Sequence, residues 1–287
     1  MPKIKLFIAT GIVVLLAVAY FHLDQTDGSL ERVRETGVLR VGYAEEAPYA
    51  FLTPAGEVSG QSPELARRIA ARLGVRNIEW RVVEFGALID ELRRGRIDVV
   101  AAGMFITRER AALVGFSDPM FHVQPGLLVA RGNPHGLHSF DDVLAASGVR
   151  VAVLSGAVEG QALRSAGLPP RRLVDVPDAE TGRVAVETGL ADALALSAPS
   201  INWMILRRPP AKTEIAKPFT TSRPEFEPCL GYGAFAFRKE DKTLLEAWNR
   251  EQRAFMATPE FVSLMQGFGF GRQELPGFLG GKEAQAQ

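Results

Sequence analysis

An aromatic residue closes one apolar segment of the sequence, and a guanidinium group follows it after a short polar stretch. Residues 99–104 are small or apolar, Phe105 comes directly after them, and Arg110 lies five positions further on. These residues alone leave two interpretations open. Phe105 and Arg110 are either a core ring and a solvated side chain, or part of a ligand site at the carboxyl end of a strand, where open α/β sheets bind their ligands.

Composition excludes several classes of function. Lysine and arginine number 33, as do aspartate and glutamate, so the net charge is zero and no basic stripe for nucleic acid is expected. The single cysteine, Cys229, excludes an internal disulfide framework and a cysteine-based zinc site. His135 and His138 share a loop without carboxylate or thiol support, which is more typical of solvated side chains than of metal ligands. The sequence contains neither a phosphate-binding glycine loop nor a nucleophile elbow, and we expect no cofactor and no metal.

The amino-terminal residues are typical of an export signal. Lys3 and Lys5 precede an apolar run over residues 6–21, which includes a small-residue box at 17–19. The run is slightly shorter than the roughly 20 apolar residues of a membrane span, although a retained anchor stays open. Residues 1–28 are therefore interpreted as a signal peptide or N-terminal anchor, which predicts a periplasmic protein that is either released or membrane-anchored.

The elements that would position Phe105 and Arg110 alternate between helix and strand. A polar helix is expected over residues 29–37, a first strand with a turn signalled by Pro48 over 38–51, and a hairpin over 53–61. A helix capped by Ser62, with Pro63 at its first position, should follow and end at Gly74. Further strands are expected at 77–85 and 97–105, separated by a helix at 86–96. This alternation predicts an α/β fold with a parallel sheet.

The same alternation restarts in the second half of the chain, which predicts a second α/β lobe. The extended segments 125–136, between the two units, and 231–241, after the second unit, are interpreted as paired crossings from lobe to lobe. The predicted organisation is a first lobe of residues 29–128 plus 232–275, a second lobe of residues 129–231 and a flexible tail over 276–287. Two lobes joined by two crossing strands enclose a cleft suited to a ligand.

At this point the sequence shows a specific resemblance. The stretches "GVLRVGYAEEAPYAF", "LIDELRRGRIDVVAAGMFITRER" and "FRKED" occur in an order that resembles the family 3 periplasmic solute-binding proteins of ABC importers. Shorter stretches, among them "VSGQSPELA" and "ARGNPHGLHSFDDV", resemble the ectoine- and hydroxyectoine-binding branch. The resemblance implies a periplasmic binding protein type II fold, a small zwitterionic ligand, an ABC permease as partner and a monomer.

The resemblance also implies how the ligand carboxylate is held. Arg110 matches the family arginine that receives the carboxylate, since a planar guanidinium fits two carboxylate oxygens, and the backbone N–H of Thr107 would add a donor. The chain departs from the family pattern at Ser197, where receptors of ordinary amino acids place an acid for the ammonium group, and at Val158, where many place a threonine. An ordinary amino acid is therefore disfavoured as ligand.

An acidic residue and three rings at strand ends resemble the aromatic box of the ectoine-binding branch. Glu46 and Tyr49 follow the first strand, and Phe85 and Phe105 follow two others. Aromatic faces attract a diffuse cation, each by about 0.5–2 kcal/mol. Ectoine carries a delocalised amidinium and one carboxylate, so the rings and Glu46 would hold the amidinium while Arg110 holds the carboxylate. Core packing is the alternative for each ring taken alone.

In the second lobe the candidate contacts are less specific. Ser155, Gly156 and Ala157 form a turn before a helix, where backbone N–H groups can meet an anion. Asn202 could reach the cleft or cap its own helix, and Trp203 is interpreted as a packing residue.

Three other functions compete with ectoine binding. The first is an amino-acid receptor of the same family. The second is a lyase similar to cyclohexadienyl dehydratase, with Glu46 as proton-transfer group, although no second acid–base partner is evident and we expect no enzyme. The third is a membrane-anchored sensor, which would require another chain for signalling.

Overall fold

A computed structural model describes residues 27–207, 212–229 and 231–276. The predicted export signal falls outside the described residues except for its last two positions, and so does the predicted tail from residue 277 onward. The side chain of Cys229 is likewise not described. Within the described residues, every helix is too short or too polar to cross a bilayer.

The described residues form ten α-helices and thirteen strands, besides four 3₁₀ turns. The helices are α1 (Ser29–Thr36), α2 (Gln61–Arg72), α3 (Leu88–Arg93), α4 (Arg108–Ala111), α5 (Phe140–Ala145), α6 (Val158–Ser165), α7 (Ala179–Glu187), α8 (Ala198–Arg207), α9 (Lys242–Met256) and α10 (Pro259–Gly267). The strands are β1 (Val38–Tyr43), β2 (Phe51–Leu52), β3 (Val58–Ser59), β4 (Asn77–Val82), β5 (Val99–Phe105), β6 (Gly115–Phe116), β7 (Phe121–Val123), β8 (Pro125–Ala130), β9 (Val151–Leu154), β10 (Leu173–Val176), β11 (Ala193–Ser197), β12 (Thr213–Ile215) and β13 (Gly231–Phe237).

The first lobe is built on a mixed sheet in the order β4-β1-β5-β13-β6, with β7 paired to β13. Strands β4, β1 and β5 are parallel, whereas β13 runs antiparallel to β5. The predicted parallel sheet is therefore confirmed for β4, β1 and β5, and the sheet as a whole is mixed. The short alternating motifs do form the parallel part, but β13 enters this sheet from the other lobe and in the opposite direction. Strand β5 is buried along its whole length, as its apolar sequence requires.

The second lobe is built on a mixed sheet in the order β10-β9-β11-β8-β12. Strands β10, β9 and β11 are parallel, and β8 and β12 are antiparallel to their neighbours. The carboxyl ends of β9 and β11 carry the turn before α6 and the start of α8. These two ends face the first lobe, as the contacts below show.

The chain passes between the two sheets twice, as predicted, near the starts of the two predicted segments, but the rest of each segment is a sheet strand. Strand β8 lies in the second sheet and β13 in the first. The strand next to β13 at the junction is β7, with Val123 opposite Gly231, and the chain passes into the second sheet at Pro125, four positions before the predicted start of the second lobe. An apolar extended segment has the same composition in a sheet interior and in a crossing, so the pattern could not separate the two.

Helix α2 begins differently from the prediction. Its N-cap is Gly60, with φ of 125°, where a Cβ atom would lie 2.5 Å from the carbonyl oxygen of Tyr49. Ser62 lies inside the helix, where its buried hydroxyl donates to Gln61 Oε1 at 2.8 Å and accepts the Gly103 N–H at 3.1 Å. Ser62 therefore does not cap α2 but joins it to β5, the strand that ends in Phe105. The hairpin prediction is confirmed by the pairing of β2 with β3.

A buried carboxylate holds the base of the first sheet. Asp98 is fully buried and accepts bonds from Arg40 Nε at 2.9 Å and from Arg238 at 3.1 Å. Burial alone would raise its pKa, but hydrogen bonds from Arg40 and Arg238 hold the pKa well below its usual range. The network ties β1, β5 and the end of β13 together and so steadies the strand that carries Phe105.

Candidate functional site

A cavity lies between the two sheets at the carboxyl ends of their strands. Its free volume is about 20 Å³, which is room for about one water molecule, so the lobes must separate before a ligand can enter. Its lining residues are Glu46, Tyr49, Phe85, Gly103, Phe105 and Arg110 from the first lobe and Ala157, Val158, Glu159, Leu196 and Ser197 from the second.

Three aromatic rings form the first lobe's part of the wall. Tyr49 follows β1, Phe85 opens a 3₁₀ turn after β4, and Phe105 ends β5, with 2%, 7% and 6% of their surfaces exposed. Two glycines make room for them. A Cβ atom on Gly103 would lie 2.4 Å from the Tyr49 ring, and one on Gly231 would lie 2.2 Å from the Phe105 ring. The rings are thus locked in place by close backbone packing.

Arg110 reaches this wall from α4. Its guanidinium donates to the carbonyl oxygens of Phe105 at 2.8 Å and Gly156 at 3.0 Å, and it lies 5.3 Å from the centre of the Phe85 ring. Thr107 caps α4 and accepts the Arg110 backbone N–H through its side chain. Burial lowers the pKa of Arg110 to about 10, so it remains charged at neutral pH. Two of the five guanidinium N–H donors are used in these bonds, which leaves three for a ligand.

Glu46 supplies a buried carboxyl from the loop after β1. It is 8% exposed, and its Oε1 accepts the Ser200 hydroxyl at 2.7 Å. Burial raises its pKa to about 7, although the Ser200 hydrogen bond and the Arg110 charge act in the opposite direction. The carboxyl can therefore gain or lose a proton near neutral pH.

Glu159 supplies a second buried carboxyl, from the first turn of α6 in the opposite lobe. It is 3% exposed, and burial, followed by the charge of Glu46, raises its pKa to about 7. Sequence reasoning missed this residue. An acid in the first turn of a helix is a common stabilising feature, so its type and position carried no separate signal for a site.

A chain of hydroxyl groups connects the two lobes beside the cavity. The Tyr49 hydroxyl donates to Ser197 Oγ at 2.9 Å, Ser197 Oγ donates to Ser200 Oγ at 3.2 Å, and Ser200 donates to Glu46. Tyr49 and Glu46 belong to the first lobe, and the two serines belong to the second. Ser197, where the resemblance leads us to expect an acid in receptors of ordinary amino acids, therefore takes part in an interlobe hydrogen-bond chain. Ser200 was not singled out in the sequence.

The two backbones also touch directly at a pair of glycines. A Cβ atom on Gly86 would lie 3.1 Å from the Ser155 carbonyl oxygen, and one on Gly156 would lie 2.5 Å from the Gly86 Cα. Only residues without a side chain allow this approach. Together with the hydroxyl chain, the contact places the lobes in a closed arrangement.

The turn formed by Ser155, Gly156 and Ala157 was predicted to offer N–H groups to an anion, but it presents carbonyl oxygens to the first lobe. Gly156 offers its carbonyl oxygen to Arg110, and the Ser155 carbonyl faces Gly86. The Ser155 N–H is bonded to the Val176 carbonyl oxygen. Of the three turn residues, Ala157 lines the cavity.

Two further candidates lie outside the cavity lining. Thr107 is the N-cap of α4. Asn202 is exposed in the second turn of α8, so it does not cap this helix, which begins at Ala198. Of the two alternatives for Asn202, the helix cap is wrong, because strand β11 runs directly into α8 and Ser197 Oγ accepts the Ser200 N–H at 3.4 Å instead.

Trp203 packs as expected, and it does so between the lobes. Its ring centre lies 5.5 Å from that of Phe51 and 6.3 Å from that of Phe268.

Within the described parts of the chain, no three histidine, cysteine or acidic side chains are grouped as metal ligands. His135 Nε2 lies 3.5 Å from Asp192, and His138 Nδ1 lies 3.1 Å from the Pro218 carbonyl oxygen.

Comparison with known proteins shows which family has this two-lobed arrangement. The family model of the bacterial extracellular solute-binding proteins, family 3, matches residues 39–271. The probable amino-acid ABC transporter periplasmic-binding protein y4tE of Sinorhizobium fredii is 34% identical over 275 residues, which cover 94% of this chain and 90% of that protein.

Two solved structures are similar along most of their length. The crystal structure of EhuB in complex with hydroxyectoine has a TM-score of 0.79 and 30% identity, and it covers 86% of this chain and 93% of that one. The ancestral amino acid-binding protein AncCDT-1, a precursor of cyclohexadienyl dehydratase, has a TM-score of 0.72 and 27% identity, with 83% and 98% covered.

Proposed function

The chain belongs to family 3 of the bacterial extracellular solute-binding proteins and has their type II periplasmic binding protein fold, and on that premise we propose that it is the ligand receptor of an ABC importer. It captures a small zwitterion between its two lobes and presents the closed form to a permease in the inner membrane. It acts in the periplasm as a monomer, either released or held by its amino-terminal segment.

The observation that carries the proposal is the composition of the cavity. One guanidinium, three rings and two carboxyl groups converge on the cavity between the lobes. A guanidinium with three unused donors is complementary to a carboxylate. The rings and carboxyl groups are complementary to a cation, each ring by about 0.5–2 kcal/mol. The matching ligand has a carboxylate at one end and a delocalised cation at the other.

Within that class we propose ectoine or 5-hydroxyectoine. Both are compact rings with one carboxylate and one amidinium, and the fold similarity to EhuB, whose structure holds hydroxyectoine, supports this choice. The neutral Ser197 at the position of the family's acid supports it as well. The likeness to y4tE keeps an ordinary amino acid as the alternative ligand.

Titration calorimetry of the purified chain tests the ligand. The panel is ectoine, 5-hydroxyectoine, glycine betaine, proline, glutamine and arginine, with Arg110→Gln as the weak-binding control. We expect the ectoines to bind with a Kd of micromolar or better, about −8 kcal/mol. Tight binding of glutamine or arginine alone would retain the receptor and overturn the ectoine assignment. No binding above millimolar affinity by any member would overturn the receptor function.

A lyase activity is the second candidate because the cavity holds two carboxyl groups with raised pKa values, Glu46 and Glu159. Such a pair can exchange protons near neutral pH, as an acid–base elimination requires. The likeness to a precursor of cyclohexadienyl dehydratase points the same way. Incubation with prephenate or arogenate and chromatography of the products tests it. Turnover that disappears in Glu159→Gln would establish the activity, and unchanged substrate would exclude it.

A further inference from the structure

Two carboxyl groups meet in the cavity from opposite lobes. Glu46 follows β1 of the first lobe, and Glu159 lies in the first turn of α6 of the second. Both line the same cavity and both are less than 10% exposed. Each therefore loses most of its hydration when the lobes close, which is costly for a charged carboxylate without a partner.

The protein itself does not neutralise this pair. Among the described residues, neither carboxyl lies within the 4.0 Å ion-pair distance of Arg110, whose bonds go to two backbone carbonyls. Glu46 has the Ser200 hydroxyl, and Glu159 has only its own backbone N–H as a favourable neighbour besides the more distant Arg110 charge. The cavity thus contains two carboxyl groups and a single guanidinium.

We propose that Glu159 is the second lobe's binding residue for the cationic group of the ligand and that it forms, with Glu46, an acidic pair that receives N–H donors from two sides. This inference rests on the proposed receptor function. In this inference Glu159, at the start of α6, takes the role that the family's acid has at the end of β11, where this chain has Ser197. The N-terminal turn of α6 favours a negative charge at that position.

The pair selects a ligand by its N–H groups. An amidinium presents N–H bonds on opposite sides of a delocalised cation, so one can meet Glu46 and the other Glu159. A quaternary ammonium has a positive charge but no N–H donor, so it gains from the rings without satisfying the carboxyl groups. The class of ligand is therefore a compact zwitterion with an N–H-bearing cation, and glycine betaine is excluded.

Calorimetry of the full chain with ectoine and with glycine betaine tests the inference. The variants are Glu159→Gln and Glu159→Asp. Glu109→Gln is the matched control, because Glu109 influences the same Arg110 guanidinium but is exposed and outside the cavity. For Glu159→Gln we expect a loss of about 10- to 100-fold in ectoine affinity, the range of a hydrogen bond to a charged group. Glu159→Asp should lose less, and Glu109→Gln should change affinity less than about twofold.

The possible outcomes distinguish a failure of this inference from a failure of the proposed receptor function. Equal ectoine affinity of wild type and Glu159→Gln would overturn the role of Glu159 and leave the receptor intact. Binding of glycine betaine as tightly as ectoine would overturn the N–H requirement. No binding of either compound, or of the amino acids in the earlier panel, by wild type would overturn the receptor function and the inference with it. Thermal melting of each variant without ligand shows that it is folded.

Discussion

Raising the pH from 5 to 8 should destabilise the closed, ligand-free protein through Glu159. Its pKa is raised from 4.5 to about 7 by burial and by Glu46. Between these values the folded state binds more protons than the unfolded state, so the free energy of unfolding falls as the pH rises. At 1.36 kcal/mol per pKa unit, the loss from one such carboxyl is about 3 kcal/mol if the lobes stay closed.

Opening of the lobes limits this loss. Separation of Glu159 from Glu46 restores water to both groups, and it breaks the Tyr49–Ser197 and Ser200–Glu46 hydrogen bonds. High pH should therefore also shift the ligand-free protein towards an open form. A ligand cation would reverse both effects because it neutralises the pair.

Urea unfolding at pH 5, 6, 7 and 8 measures the first effect, and the radius of gyration from small-angle scattering measures the second. Glu159→Gln should reduce the decline in stability to the part that Glu46 contributes and should reduce the change in radius, whereas Glu109→Gln should follow wild type. The reasoning is refuted if wild type and Glu159→Gln show the same pH dependence in both measurements. In that case the two carboxyl groups do not share a desolvated cavity.

Three further perturbations test other parts of the structure. Arg110→Gln should weaken ectoine binding about 30-fold or more, because leaving the buried carboxylate of the ligand without a charged partner costs roughly 2–5 kcal/mol. Calorimetry measures this loss, and normal affinity would exclude Arg110 as the carboxylate anchor. Gly86→Val should hold the lobes apart at Gly156 and weaken binding about tenfold or more, while the melting temperature of the ligand-free protein should not change. A variant that is closed by scattering and binds tightly by calorimetry would contradict the backbone contact. Asp98→Asn should lower the free energy of urea unfolding by about 1.5–3 kcal/mol, because Arg40 and Arg238 lose a charged hydrogen-bond partner while Arg238 keeps its ion pair with Asp241; a cost no larger than that of a surface carboxyl would show that the network is dispensable.

Local elements followed from the sequence because their signals are local. The apolar segment before Phe105 predicted a buried strand, and β5 is one. The glycine-flanked stretch at 53–61 predicted the hairpin between β2 and β3. Periodicity and turn residues act over a few positions, so they specify an element without reference to the rest of the chain.

Strand ends were the part of the site that the sequence could predict. Glu46, Tyr49, Phe85, Phe105 and Arg110 all line or contact the cavity, because residues after parallel strands meet at one edge of a sheet. Their roles as ligand contacts remain part of the proposal. What the sequence determined by itself was thus the first lobe's half of the wall.

Only the tertiary structure decided what the second lobe brings to that wall. Glu159 looked like any acid in a first helical turn, and Ser200 like any helix serine, until lobe closure placed them against Glu46. The direction of β13 and the junction at β7 depend likewise on pairing between segments about 100 residues apart in the chain. Such contacts form between groups that share no local pattern, since burial and the pairing of charges are properties of the closed molecule and not of any one segment.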